Sequence, residues 1–503
     1  MPERDSSREP ATLDAPGVPG LTVHIPTLTG EEPLEALTRF VLETRYEDIA
    51  PEVIEFAKRL FIDVLGVTIG GSSQESIPEL VDYVRYLGGR PDSMLPFYGG
   101  RYPASSVALA LAPMSRALDM GDVHLGWEKY GFSVIGHTAE YTAPTLLALL
   151  GRVPNATGKD LLAAFALGTE VLVRIGAAAY NTNSGRLMGL PGNFDQGGWY
   201  IFGAVAAAAR LLGMDARQTL NALGMARGMT QTHDMKSMSP ASHWVRVHHG
   251  FVSKNAIDAC ELALRGINGP RDVMLGYRGF LFAVSRGLWP VKPQLLLQDL
   301  GNEWFFTQTS IKPFSACKAT HTGATGLQIL KARHGFAADD IEEVCMDVSK
   351  NTFELVCMPE AAKWNPQTDQ NAQFSLAHVA ATVAIDGKLL IDGFQQEARD
   401  RPEIAALRKR IKAKIDPNIP VMDTRVSVRL KSGETHSMHC NDTKGSPSTP
   451  LTDLEWRDRF ASLCRYSAYP VTRATADALL ERLFTLEDSV DVVADIILPL
   501  TPH

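Results

Sequence analysis

The sequence predicts a mainly α protein, with a large all-helical domain built from both chain ends and an α+β lid domain inserted between them. Two observations carry that prediction. From Thr29 to about Gly266 apolar residues recur at helical spacing, and alanine-rich seams such as residues 204–212 let helix axes approach closely. Past Leu288 two segments alternate with a period of two before the tail, roughly 50 residues, returns to the helical pattern. A helical–mixed–helical order lets the tail rejoin the first domain.

Residues 1–28 are polar and Pro/Gly-rich, without the apolar run of a secretory signal, and read as a flexible arm. Thr29 and Glu32 form a capping-box pattern opening a helix through Leu42. Pro51 starts the next helix, whose Val53, Phe56, Ala57, Leu60 and Val64 share one face. Further helices are expected over residues 105–120, 143–150, 160–178, 202–212 and 217–229. In the mixed module residues 342–349 and 424–438 read as strands, with a hairpin turn at Ser432-Gly433, between helices at 322–333, 375–385 and 402–411. Residues 444–450 form a turn-rich linker, and Thr452 with Glu455 caps a helix through Phe460. The expected boundaries are therefore 1–28 for the arm, 29–308 and 446–503 for the helical domain, and 309–445 for the lid.

The 503 residues are 45% apolar and 21% charged, which excludes disordered and collagen-like classes. Against 57 acidic residues stand 49 Lys and Arg, a net charge of −8. The whole-molecule field therefore repels nucleic acid and anionic membranes, and an anionic ligand needs a local basic pocket. Six cysteines without a C-x-x-C pair support neither a disulfide scaffold nor a zinc or iron–sulfur ligand set, so a reducing, cytoplasmic location is expected. No stretch reaches about 18 uninterrupted apolar residues, and no membrane span is expected. The chain has no H-E-x-x-H, and Asp119, Asp122 and His124 form a loose cluster rather than a ligand pattern. Gly70-Gly71, Gly99-Gly100 and Gly197-Gly198 follow no phosphate-loop spacing. No metal, nucleotide or other cofactor is expected.

Seven segments, at residues 57–71, 116–124, 203–226, 268–280, 312–321, 371–380 and 444–460, together and in order resemble the MmgE/PrpD family. The resemblance implies a cofactor-independent lyase acting on a citrate- or malate-like polycarboxylate, a hydro-lyase first, with decarboxylation of a cis-aconitate-like acid or epimerisation of a dicarboxylate as alternatives. It also implies a homodimer with its site in the cleft between helical domain and lid. Such chemistry needs an acid or base beside the reacting carbon, cations to hold carboxylates, and donors for the developing charge.

Carried over residue by residue, the resemblance makes Asp119 and His137 active-site residues, with His124 the rival for the histidine because residues 125–136 intervene. It makes His321 an acid or base, preceded by Lys312 and Lys318 as carboxylate anchors. Cys317 between them has no activating neighbour in the sequence and is expected to pack. The chain also departs from the family. Val245 stands where many relatives carry a lysine, leaving Arg246 as a carboxylate clamp and His248 or His249 as proton sources. Val123 replaces a threonine, residues 192–199 lack the usual histidine, and His378 stands where Pro-Tyr is common. These changes point to a different substrate or reaction from the best-known relatives. A catalytically inactive binding protein of the same fold is the reading from another class.

Overall fold

The computed structural model of the chain describes residues 12–14, 22–179, 198–230, 241–287 and 290–502. Most of the arm and most of the 192–199 segment lie outside the described residues. The arm is not wholly loose, because Thr12–Asp14 and Thr22–His24 pair as antiparallel strands and the His24 N–H donates to Gly287 O at 2.8 Å. Donors that find fixed acceptors order the backbone that carries them.

The fold is mainly helical, as the periodicity predicts. The helices Pro51–Gly71, Ala104–Ala117, Ala139–Leu149, Gly158–Ala179, Tyr200–Leu211 and Trp244–Leu264 pack around one large apolar core. Small residues set how closely they approach. A Cβ on Gly168 would lie 2.8 Å from Gly203 O, so the Gly158–Ala179 and Tyr200–Leu211 helices touch backbone to backbone. Gly158–Ala179 is, among the described residues, the one helix long and apolar enough to cross a membrane, yet its apolar stretch is wholly buried in the protein. Its Arg174 and Glu170 pair at 2.7 Å inside the core.

The tail packs on the beginning. Phe460, on the helix Asp453–Cys464, approaches Gly66 so closely that a Cβ there would lie 3.1 Å from its ring. Lys58 binds Glu487 at 2.9 Å. Thr452 and Glu455 form the expected capping box, whereas the first helix, Pro33–Glu43, is capped by Glu32 itself rather than by Thr29. Proline at the first helical position moves that start past the sequence pattern.

The mixed module has its own core. Its four-stranded sheet runs in the order Thr435–Cys440, Thr424–Leu430, Ile341–Val348, Ile411–Ile415, with the last pair parallel. Val344, Met346, Val426 and Val428 face the helices His321–His334 and Leu376–Asp386. The helix expected over 402–411 stops at Arg408, and Ile411 opens the parallel edge strand instead. A third, smaller apolar cluster mixes Val67, Leu118, Met120 and Leu463 with Phe314, Ala316, Val379 and Phe394. The candidate site lies beside it.

The intervening segment 125–136 is a β-hairpin. Asp122–Trp127 and Phe132–Gly136 pair antiparallel, and Thr309–Ile311 completes a three-stranded sheet on the other side of Asp122–Trp127. That third strand brings Lys312 alongside Gly121, whose carbonyl accepts from the Lys312 N–H at 3.3 Å.

Candidate active site

The helix Ala104–Ala117 ends in a turn that places Asp119 at φ 49, a left-handed conformation that costs a non-glycine residue energy and is held here by its surroundings. The carboxylate is buried between the Arg116 guanidinium and the Lys312 ammonium, both bonded to Oδ1. Burial pushes its pKa up, but the two cations outweigh it and hold the carboxyl below its usual range. Lys312, expected to anchor substrate, thus spends much of its charge on Asp119.

Three residues on, Asp122 caps a helix to which it does not belong. Its carboxylate accepts from the N–H groups of Thr138 (2.6 Å), Ala139 (3.1 Å) and Glu140 (3.2 Å), and from the Thr138 hydroxyl (2.7 Å). These are the orphan donors at the start of Ala139–Leu149. The cap fixes His137, whose Nδ1–H donates to Asp122 O at 2.7 Å. Glu140 follows, fully buried, with Oε2 3.5 Å from His137 Nδ1 and 3.8 Å from His249 Nδ1.

The rival His124 is a structural residue. Its Nε2–H donates to Phe305 O at 2.9 Å, its Nδ1 accepts from the Gly126 N–H at 3.0 Å, and burial drives its pKa down to about 4.

His321 opens the helix His321–His334 in the mixed module and is fully buried. Its Nε2 lies 3.0 Å from Ala316 O, an acceptor only, so Nε2 carries the proton and Nδ1 is a lone pair without a hydrogen-bond partner. Burial, Lys318 and Lys312 together push the pKa well below the usual histidine value. The ring is neutral in its resting form. Of the two roles open in the sequence, proton acceptor and proton donor, the geometry favours the first.

Lys318 is buried with Nζ 2.6 Å from Thr443 Oγ1, and burial with the nearby Lys312 lowers its pKa to about 8. Arg246, on Trp244–Leu264, donates to Glu75 O at 3.1 Å and Gln373 Oε1 at 3.2 Å, and burial brings its pKa to about 10. Gln373 in turn donates to Leu118 O and Ser315 O, tying the lid side to the Asp119 turn. His248 uses Nδ1 on its own helix, donating to Trp244 O at 2.9 Å. Cys317 is buried, with its thiol pushed up to about 11 by burial, in keeping with packing rather than nucleophilic attack.

His378 does not join this group. Its Nε2–H donates to Gly393 O at 2.8 Å, and its Nδ1 faces Arg408 at 3.4 Å, beside Phe394. It serves the interior of the α+β module, a correction to its expected role as a substrate ligand. Arg459 and Glu140, by contrast, were not singled out by the sequence. Arg459 reaches from the tail helix to Asp63 Oδ1 (2.6 Å), Lys312 O (2.8 Å) and Met120 O (2.6 Å), clasping both strands of the site.

Asp122, His137 and Glu140 each bring a ligand atom within 4.8 Å of the others, a possible metal triad that residue spacing did not announce. The donor set fits a cap better than a cation. Asp122 Oδ2 already accepts three hydrogen bonds and Oδ1 a fourth, and the His137 nitrogen on that side carries a proton, so the histidine offers no lone pair there.

The MmgE/PrpD N-terminal domain matches residues 35–290 and the MmgE/PrpD C-terminal domain matches residues 314–485. The second match runs through the α+β module and on into the tail helices. The chain belongs to the MmgE/PrpD family. It is similar to the cis-aconitate decarboxylase-like protein oryM of Aspergillus oryzae, at 25% identity over 91% of this chain and 95% of that protein. It is also similar to the cis-aconitate decarboxylase of Mus musculus, at 25% identity over 87% of each chain. The Homo sapiens cis-aconitate decarboxylase is 24% identical over 88% of this chain and 89% of its own length.

Proposed function

We propose that this protein is a lyase of the dehydratase or decarboxylase type, acting without a cofactor on a citrate- or malate-like polycarboxylate. The observation that carries the reading is a set of buried cations, Arg116, Arg246, Lys312 and Lys318, set around the neutral His321 ring and the Asp119 turn. In a chain of net charge −8 this is the local basic pocket that an anionic substrate needs. Lys318 and Arg246 hold carboxylates, and the His321 Nδ1 lone pair takes a proton from the carbon beside them.

Dehydration is the first reading, because loss of water from a hydroxy acid starts with the proton abstraction for which His321 is set. Decarboxylation is the second, favoured by the similarity to the mouse and human cis-aconitate decarboxylases. Incubation of the purified protein with citrate-, malate- and aconitate-type acids, followed by NMR and CO2 capture, separates them. Loss of water without CO2 is expected. Release of CO2 replaces the first reading with the second, an isomer of unchanged mass replaces both with epimerisation, and binding without turnover leaves an inactive relative.

A further inference from the structure

Glu140 is an expensive residue to keep. It is fully buried, and neither carboxyl oxygen has a hydrogen-bond partner. Stranding a buried polar group away from water opposes folding. The fold also makes room for it, since a Cβ at Gly121 would lie 2.3 Å from Oε1. One oxygen, Oε2, faces three nitrogens, at 3.5 Å on His137 Nδ1, 3.8 Å on His249 Nδ1 and 3.9 Å on Arg116 Nε. His249 is itself fixed, with its ring stacked on Tyr141 at 4.4 Å and its Nε2 3.1 Å from the Tyr141 hydroxyl.

We propose that Glu140 is a positioning residue whose carboxyl, 3.5 Å from the His137 ring, couples to it electrostatically so that the two together bind one titrating proton, and His137 serves as either proton acceptor or proton donor toward substrate. The proposal rests on the reading of His137 as an acid–base residue of the lyase. The pair has two forms with the same number of protons. In one, Glu140 is a neutral acid and His137 a neutral ring. In the other, Glu140 is a carboxylate and His137 an imidazolium. No proton passes directly between the two groups, since the nitrogen that faces Glu140, Nδ1, already donates to Asp122 O: the proton that leaves Glu140 goes to water, and His137 takes one from water or substrate on Nε2.

The surroundings act on the pair in both directions. Burial raises the Glu140 pKa well above the usual value and favours the neutral acid. Arg116, on Ala104–Ala117, and Lys312, after Thr309–Ile311, pull toward the carboxylate, while Asp119 and Asp122, flanking Gly121, push back. His249 and Tyr141 face the same carboxyl from the Trp244–Leu264 and Ala139–Leu149 helices, and Tyr200 stacks behind Tyr141. Two groups coupled this closely titrate as a pair.

The test needs no substrate. In the full-length protein with 13C- and 15N-labelled histidine, the His137 resonances, assigned with His137→Asn, are followed against pH. Two titration steps are expected in the wild type, and a single step at least one pH unit lower in Glu140→Gln, a tenfold or greater loss of proton affinity. Gln preserves size and polarity, so a space-filling role leaves the His137 curve unchanged in Glu140→Gln, and that result overturns the proposal. If the variant does not fold, the wild-type curve alone decides, since a single step there also overturns it. Stoichiometric zinc binding to the wild type, lost in Glu140→Gln, overturns it as well by making the carboxyl a ligand. Once a substrate is known, Glu140→Gln is expected to lower kcat with little change in KM and to alter the kcat–pH profile. A coupled pair in a protein that turns over no carboxylic acid rejects the lyase reading and leaves the pair standing.

Discussion

At His321 both ring nitrogens have assigned tasks, Nε2 as donor to Ala316 O and Nδ1 as a buried lone pair. His321→Ala is therefore expected to lower kcat by roughly 10²–10⁴-fold while the circular dichroism spectrum stays unchanged. A variant keeping more than about half of wild-type kcat/KM shifts the base to His137, since such a loss is far below the general-base scale. Because the His321 pKa is depressed, its neutral form persists below the ordinary histidine range, and the acid limb of the rate profile contributed by this ring lies correspondingly low. Lys318 behaves differently. With a pKa of about 8 its ammonium, and so its hold on a carboxylate, is present below that value and fades above it. KM is expected to rise as pH passes about 8, and in Lys318→Ala it is raised at every pH without that inflection. Asp119, His321 and the two lysines could be singled out as candidates because they sit in ordered motifs. Glu140 could not, since an acid in the first turn of a helix is what the helix dipole favours anywhere. His378 misled for the opposite reason, because its place in a motif says nothing about which way its ring points.

Among the elements, the helices were legible because their periodicity is local, and most of their expected ends lie within a few residues of the observed ones. The hairpin from Asp122 to Gly136 was not, because the strand that completes its sheet, Thr309–Ile311, lies far along the chain. The cap on Ala139–Leu149 was hidden for the same reason, as it comes from Asp122 rather than from the residue before the helix. Removing it in Asp122→Ala leaves several buried donors unmet. The expected cost is at least the 1–2 kcal/mol or so of an ordinary N-cap, read as a lower urea midpoint. His137 loses its register with the cap, so kcat is expected to fall as well. Asp122→Asn keeps an acceptor oxygen and is expected to recover much of the stability. Equal midpoints for Asp122→Ala and the wild type would show that the cap is dispensable.

Across the whole molecule the Arg459 clasp joins the tail helix to the Pro51–Gly71 helix through Asp63 and to the site through Lys312 and Met120. None of these partners is near it in sequence, which is why no motif disclosed it. Arg459→Met strands the buried Asp63, a loss of about 3–5 kcal/mol for a broken buried pair, and is expected to lower urea resistance and turnover together. Unchanged resistance with turnover lost would place Arg459 at the substrate instead. The clasp also bears on how the protein is made. Ribosomes deliver a chain from its N-terminus, and domains begin to fold as they emerge. Asp63, Asp119, His137, Lys312 and His321 are all synthesised while Arg459 is still to come. A nascent chain thus holds every candidate catalytic group before it holds the residue that locks them together, and a message cut short before codon 459 yields a long polypeptide with a complete set of reactive side chains and no working arrangement of them.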